Sequence, residues 1–154
     1  MNNVNLSKDA EKTVLATGLI ARITIPGKPR GKGRPRFTKM GRVYTDDATA
    51  AYENLVKMSW VKEHPVRFDG PVSVCVVANY QIPASTPKKL QAQMRAGDIV
   101  PTVKPDLDNV VKAMLDGLNG VAFLDNKQIV KLTANKQYSD SACVLVTVEG
   151  LNST

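Results

Sequence analysis

Histidine and cysteine are scarce in this chain, with His64 alone and two cysteines in 154 residues. A lone histidine with no cysteine or second histidine near it argues against a zinc cage or a histidine-based catalytic triad. Cys75 and Cys143 each fall inside an apolar alternating run, where a small hydrophobe packs well, so they read as buried thiols rather than a disulfide. Long apolar stretches are also missing. None approaches the roughly 20 residues needed to span a bilayer, and no basic amphipathic helix stands out. Residues 1–13 are polar and lack the core of a signal peptide, which makes cytoplasmic residence without a membrane partner the expectation. Acidic residues are outnumbered, 14 Asp and Glu against 21 Lys and Arg, giving a formal charge of +7. A positive surface field of that size attracts polyanions, nucleic acid first among them.

The length suits one domain with a real core and is too short for two ordinary ones. The expected organisation is a flexible segment over 1–17, one domain over 18–150 and a short tail over 151–154. Leu19, Ala21, Ile23 and Ile25 recur with period two and predict a strand. A helix is expected from Thr45 as cap, with Asp46 and Asp47 suiting its dipole, through Tyr52, Leu55, Val56 and Trp60, limited by Pro65 after His64. Val72–Tyr80 reads as a second strand. Thr86-Pro87 starts a short basic helix to about Ala96. A third helix runs from near Asp106 through Val110, Val111, Met114, Leu115 and Leu118 to Asn119-Gly120. Gln128–Gln137 and Ala142–Val148 read as two more strands, expected to form an antiparallel hairpin. The sum is an α+β domain, about three helices packed against a single sheet.

Three stretches carry possible chemistry. Lys28, Arg30, Lys32, Arg34 and Arg36 lie in a Pro/Gly-rich frame that neither helix nor central strand accommodates, and Lys39 and Arg42 extend the charge. Read as a flexible loop, this segment can follow phosphates without reading base sequence; the bland alternative is a solvated loop. Tyr44 beside it suits stacking on a base or plain packing. In Lys104-Pro105-Asp106-Leu107-Asp108-Asn109-Val110-Val111-Lys112, two carboxylates open a helix and Lys112 lies one turn beyond Asp108. Carboxylates so close repel unless a cation is shared, and a divalent ion supplies one with the oxygen ligands it prefers. Otherwise Asp106 caps, Asp108 complements the dipole and Lys112 pairs with it. The third stretch is Leu124-Asp125-Asn126-Lys127-Gln128-Ile129. If the strand after it packs beside the third helix, Asp125 or Asn126 returns to that helix's mouth; otherwise it is a turn.

Taken together, Asp106-Leu107-Asp108-Asn109 with Lys112, then Asp116-Gly117-Leu118, then Leu124-Asp125-Asn126-Lys127-Gln128-Ile129, and Lys136 in the following strand, resemble the RusA family of Holliday junction resolvases. The likeness is clear over Val103–Lys136 and weaker over Ile23–Tyr80. It implies a RusA-like mixed sheet with its helices, and a homodimeric, magnesium-dependent endodeoxyribonuclease, manganese being a possible substitute, that makes paired nicks in four-way junctions in a bacterial or phage-infected cell. Carried over residue by residue, Asp106 and Asp108 match two catalytic acids and metal ligands, and Lys112 a catalytic lysine. The family has a double aspartate at the later site, of which the second is a metal ligand; here Asp125 is followed by Asn126. A carboxamide offers Mg²⁺ one neutral oxygen and no charge. Either Asn126 is a substitution that traps DNA, or Asp125 takes over as ligand. DNA contacts are expected from Lys28, Arg30, Lys32, Arg34, Arg36, Lys39, Arg42 and Lys136. The competing readings are a nuclease for flaps or other branched DNA and a non-catalytic basic DNA-binding module.

Overall fold

The computed structural model describes residues 13–14, 19–33, 36–44 and 46–151. Arg34, the cap expected at Thr45, and residues 1–12, 15–18 and 152–154 lie outside that set. In chain order the elements are β1 (Thr13–Val14), β2 (Ile20–Pro26), β3 (Arg36–Phe37), β4 (Val43–Tyr44), α1 (Asp47–Glu63), β5 (Arg67–Phe68), β6 (Val72–Gln81), α2 (Lys88–Ala96), α3 (Leu107–Leu118), a single 3-10 turn (Asn126–Gln128), β7 (Ile129–Ser139) and β8 (Cys143–Gly150). Thr13–Val14, within the segment expected to be flexible, pairs in parallel with β5. The fold is α+β, as the period-two and helical patterns predict.

The main sheet has the order β2-β8-β6-β7, with β8 antiparallel to both neighbours and β6 parallel to β7. The expected hairpin is therefore corrected: β7 and β8 are consecutive in sequence, yet β6 lies between them. Strand chemistry explains the order. The valine-rich β6 and β8 bury every second side chain completely or nearly so, with Val74, Val76, Val144, Val146 and Val148 all at 0% exposure. Strands of that kind belong in the middle of a sheet. In β7 the face away from the core is polar, with Lys131, Thr133, Asn135 and Gln137, and on the other face Val130 and Leu132 remain exposed, which suits an edge.

Helices α1 and α3 cover one face. Gly117 makes the close crossing possible, since a Cβ there would lie 2.6 Å from that of Val56. Trp60 and Val56 from α1 meet Val110, Met114 and Leu118 from α3 over Ile23, Ile25 and the sheet valines in one buried cluster. Burying each such side chain contributes roughly 1.5–3 kcal/mol relative to leaving it in water. Cys75 and Cys143 fall on the opposite phase of their strands, so they are half-buried free thiols on the other face of the sheet, not core residues. The cap of α1 is Asp46, whose carboxylate accepts the Thr49 N–H at 2.7 Å. His64 closes that helix as expected, its ring bonded to the Arg22 carbonyl at 2.7 Å. Helix α2 starts one residue later than the sequence suggests, with Pro87 at the cap position and no side-chain cap.

Candidate active site

A cis Lys104–Pro105 bond leads into α3. Tyr80, from the end of β6, donates its hydroxyl to the Pro105 carbonyl at 3.0 Å and so fixes the entrance of the helix to the sheet. Burial, and after it the charge of Asp106, hold the Tyr80 phenol above its ordinary pKa, so it stays a donor at neutral pH. Asp106 occupies the cap position of α3 with extended backbone, yet its carboxylate makes no capping bond. Asp108 follows on the first turn, and Lys112 one turn further; all three are exposed. None of the ion pairs among the described residues involves them. The helix therefore leaves two carboxylates and an ammonium free at one rim.

The Asp125–Gln128 turn differs. The Asp125 carboxylate accepts the Lys127 N–H at 2.9 Å, and the Gln128 side chain reaches back to accept from Leu124 and Asp125 N–H at 2.8 and 3.1 Å. Gln128 also donates to the Phe68 and Gly70 carbonyls, both at 2.9 Å. Asn126 is the exception. Its side-chain oxygen is buried with no hydrogen-bond partner.

Strand β7 does pack beside α3, but its direction overturns the expected meeting of the two acidic stretches within one chain. The register sets Ile129 beside Val72 and Tyr138 beside Tyr80. Asp106 is tied to the Tyr80 end of β6, while Asp125 and Asn126 follow Phe123, which bridges to Asn119 past the far end of α3. A helix of 12 residues and the strand beneath it separate the two stretches by on the order of 20 Å. Among the described residues no three His, Cys, Asp or Glu side chains gather into a metal cage.

The basic segment is docked rather than loose. The Lys32 N–H donates to the Asn109 carbonyl at 3.0 Å, and the Gly33 N–H to the Thr49 hydroxyl at 3.0 Å. Glycine is needed there: a Cβ at Gly31 would come within 3.0 Å of Pro105 and Asn109, and one at Gly33 within 2.7 Å of the Thr49 hydroxyl. Lys32 itself turns inward, its ammonium bonded to Asp116 and 3.3 Å from Glu53. Its charge is neutralised inside the protein. Lys28, Arg30, Arg36, Lys39 and Arg42 stay exposed, the last three on or beside the β3–β4 ribbon with Tyr44. Lys136 donates to the Val103 carbonyl at 2.7 Å and lies over the Tyr80 ring.

The chain matches the family described as endodeoxyribonuclease RusA over residues 26–149. It belongs to that family. Among curated proteins it is similar to the uncharacterized protein YqaN of Bacillus subtilis (strain 168), 32% identical over 133 residues, covering 82% of this chain and 94% of that one. In this RusA-family chain the resemblance read at residues 103–136 thus extends from the end of β2 through α1, β6 and most of β8.

Three residues beside the rim escape a sequence reading. Asp46, Thr49 and Tyr52 line a cleft of about 450 Å³ with Lys28, Arg30 and Lys104. Only the Gly31-x-Gly33 spacing hints at it, because glycines alternating with cations signal close backbone approach as well as flexibility. No helix of the described chain is long and apolar enough to cross a membrane.

Proposed function

We propose that this protein is a magnesium-dependent endonuclease that cuts four-way DNA junctions as a homodimer. The observation that carries the reading is Asp106, a residue at a helix cap whose carboxylate does not cap, with Asp108 and Lys112 equally uncommitted beside it. Family membership supplies the reaction class; the exposed cations of the docked loop supply phosphate contacts.

Two free carboxylates at Asp106 and Asp108 suit magnesium, and the carboxamide oxygen of Asn126, orphaned but buried in its own subunit, joins such a set only by turning outward. A bound ion of this kind lowers the pKa of a water and offsets phosphate charge. The Lys112 ammonium stabilises the negative charge that builds on the phosphate oxygens as the bond breaks. Tyr80 holds the Asp106 rim in place through Pro105. Asp125 is spent on its turn, which leaves position 126 as the better candidate for a ligand from that stretch.

Strand β7 gives the homodimer a physical basis. It is an 11-residue edge with exposed Val130 and Leu132, and an unpaired apolar edge is a template for another strand. Antiparallel pairing about a two-fold axis sets the start of one β7 against the end of the other. Asn126 of the partner subunit then approaches Asp106 and Asp108, and two equivalent sites result, as two matched nicks require.

One observation favours a second reading, a DNA-binding module that does not cut: Asn126 brings no charge where the family has an acid. The Asn126→Asp variant, incubated with magnesium and labelled four-way, flap and linear DNA, separates the readings. We expect symmetric junction cuts at a rate raised on the order of 10- to 100-fold over the natural sequence. Flap cleavage instead would make the protein a nuclease of other branched DNA, and binding without any cutting would make it the module.

A further inference from the structure

We propose that the cleft between the docked basic loop and the start of α1 receives one nucleobase, turned out of the DNA stack beside the bond to be cut. This deepens the nuclease reading and rests on it. The cleft of about 450 Å³ falls within the roughly 300–1,000 Å³ of pockets that take small molecules. Lys104 and Pro105 form part of its wall, and the same two residues border the neighbouring recess that holds Asp106 and Asn109. A strand whose phosphate lies at the Asp106 rim therefore has its adjoining nucleotide at this cleft.

The walls suit a base better than a phosphate. Tyr52 is 7% exposed, and its buried hydroxyl has no hydrogen-bond partner. An orphaned polar group of that kind costs free energy unless a ligand completes it. Burial, opposed in part by the Arg30 backbone N–H, holds the Tyr52 phenol above its ordinary pKa, so it offers a proton at neutral pH. Asp46 lines the same cleft as an acceptor, kept ionised chiefly by the Thr49 N–H. A bare phosphate would meet that carboxylate and be repelled. A nucleobase brings donors and acceptors on its edge, and flat faces that suit the rings of Pro29, Pro105 and Tyr52. The exposed Lys28, Arg30 and Lys104 at the rim are left to hold the phosphates on either side.

The occupant is reached at low cost in a branched substrate. Extruding a base from a continuous duplex costs a few kcal/mol, and least where stacking is already interrupted, as at the point where junction strands exchange.

The test uses four-way junctions carrying 2-aminopurine, one position at a time, at and beside the exchange point, bound in EDTA so that no strand is cut. We expect fluorescence to rise at one position on binding the natural protein, reporting a base that has left the stack. Tyr52→Phe removes only the hydroxyl and keeps the buried ring, so the fold should persist. The rise should then shrink and junction affinity fall about 3- to 10-fold, the scale of one hydrogen bond. Asp46→Asn keeps a good helix cap and should change which base gives the rise. Tight junction binding with no rise at any position, or an unchanged rise and affinity in both variants, would overturn the base pocket and leave the nuclease reading intact. Failure of every form to bind junctions would overturn both.

Discussion

The starts of α3 and of the turn before β7 look alike in sequence and are built differently. Each opens on an aspartate at the cap position with extended backbone, Asp106 in one case and Asp125 in the other. Asp125 accepts from the turn's own backbone and Gln128 reciprocates, so that carboxylate holds local structure together. Asp106 accepts nothing from its helix. A capping side chain that leaves its cap unmade forgoes stability of about 1 kcal/mol, and the free carboxylate is better explained by a ligand than by folding. In the turn the idle oxygen belongs to Asn126, so the ligand proposed from that stretch is Asn126 rather than Asp125.

The sharpest way to break this comparison is to separate the two ends genetically. Take one protein as it stands, with Asp106 intact and Asn126 neutral, and a second carrying Asp106→Asn together with Asn126→Asp. Neither alone has a complete acid set at any site, so nicking of a four-way junction with magnesium should stay at or below the slow rate of the natural sequence. If the sites form between protomers, mixing and exchanging subunits assembles one complete site per heterodimer. The mixture should then nick one strand at a rate raised on the order of 10- to 100-fold, a gain visible on a denaturing gel. A mixture as slow as its components would place both ends in separate sites and remove the dimer from the mechanism.

The Asp106 end is also braced from the side, and that brace gives a smaller, pH-dependent effect. Lys32 pins the basic loop to α3 through Asp116 and to α1 through Glu53. The Asp116 hydrogen bond is the first cause that raises its pKa above the ordinary 10.5. A raised folded-state pKa means the bond stabilises the fold fully below about pH 10.5, and that contribution fades as pH climbs through the folded value. The three side chains are only 23–25% exposed, so the pair lies between surface and buried behaviour. Lys32→Met should cost about 2 kcal/mol at pH 7. Thermal melts should show that gap constant from pH 6 to 9 and narrowing above pH 10.5. A gap independent of pH up to 12 would mean that the lysine stem, not its charge, holds the loop.

Much of this was legible from periodicity. The alternating valines of β6 and β8, and Ala21, Ile23 and Ile25 in β2, point to the face that α1 and α3 cover, and the phase of Cys75 and Cys143 already sets them on the other face. Strand order was not legible. Nothing in Tyr138-Ser139-Asp140-Ser141 says whether its strands are neighbours, since a connection that short spans one strand spacing or reaches across β6 at about twice that, roughly 10 Å. The same blindness hid the separation of Asp106 from Asn126, which follows from β7 running parallel to β6. Charge counts misjudged Lys32 for a related reason. Its partners Glu53 and Asp116 are remote in sequence, and the glycines on either side, read as flexibility, instead let the backbone pack closely against α1 and α3.

The smallest predicted effect carries the comparison of the two aspartates most directly. Asp125→Ala removes an acceptor that the turn uses, and should cost about 1 kcal/mol, or about 2–4 °C in Tm for a domain of this size. Asp106→Ala removes a carboxylate from a helix dipole but breaks no bond, so its cost should stay within about 0.5 kcal/mol. Cleavage in the Asn126→Asp background should show the reverse order, with Asp106→Ala abolishing it and Asp125→Ala largely sparing it. Equal losses of stability would mean that both aspartates are caps, and Asp106 would then give no reason to place a metal at the start of α3. Stability and activity must move in opposite order for the two residues, because a carboxylate bonded within its own turn is not free to hold an ion.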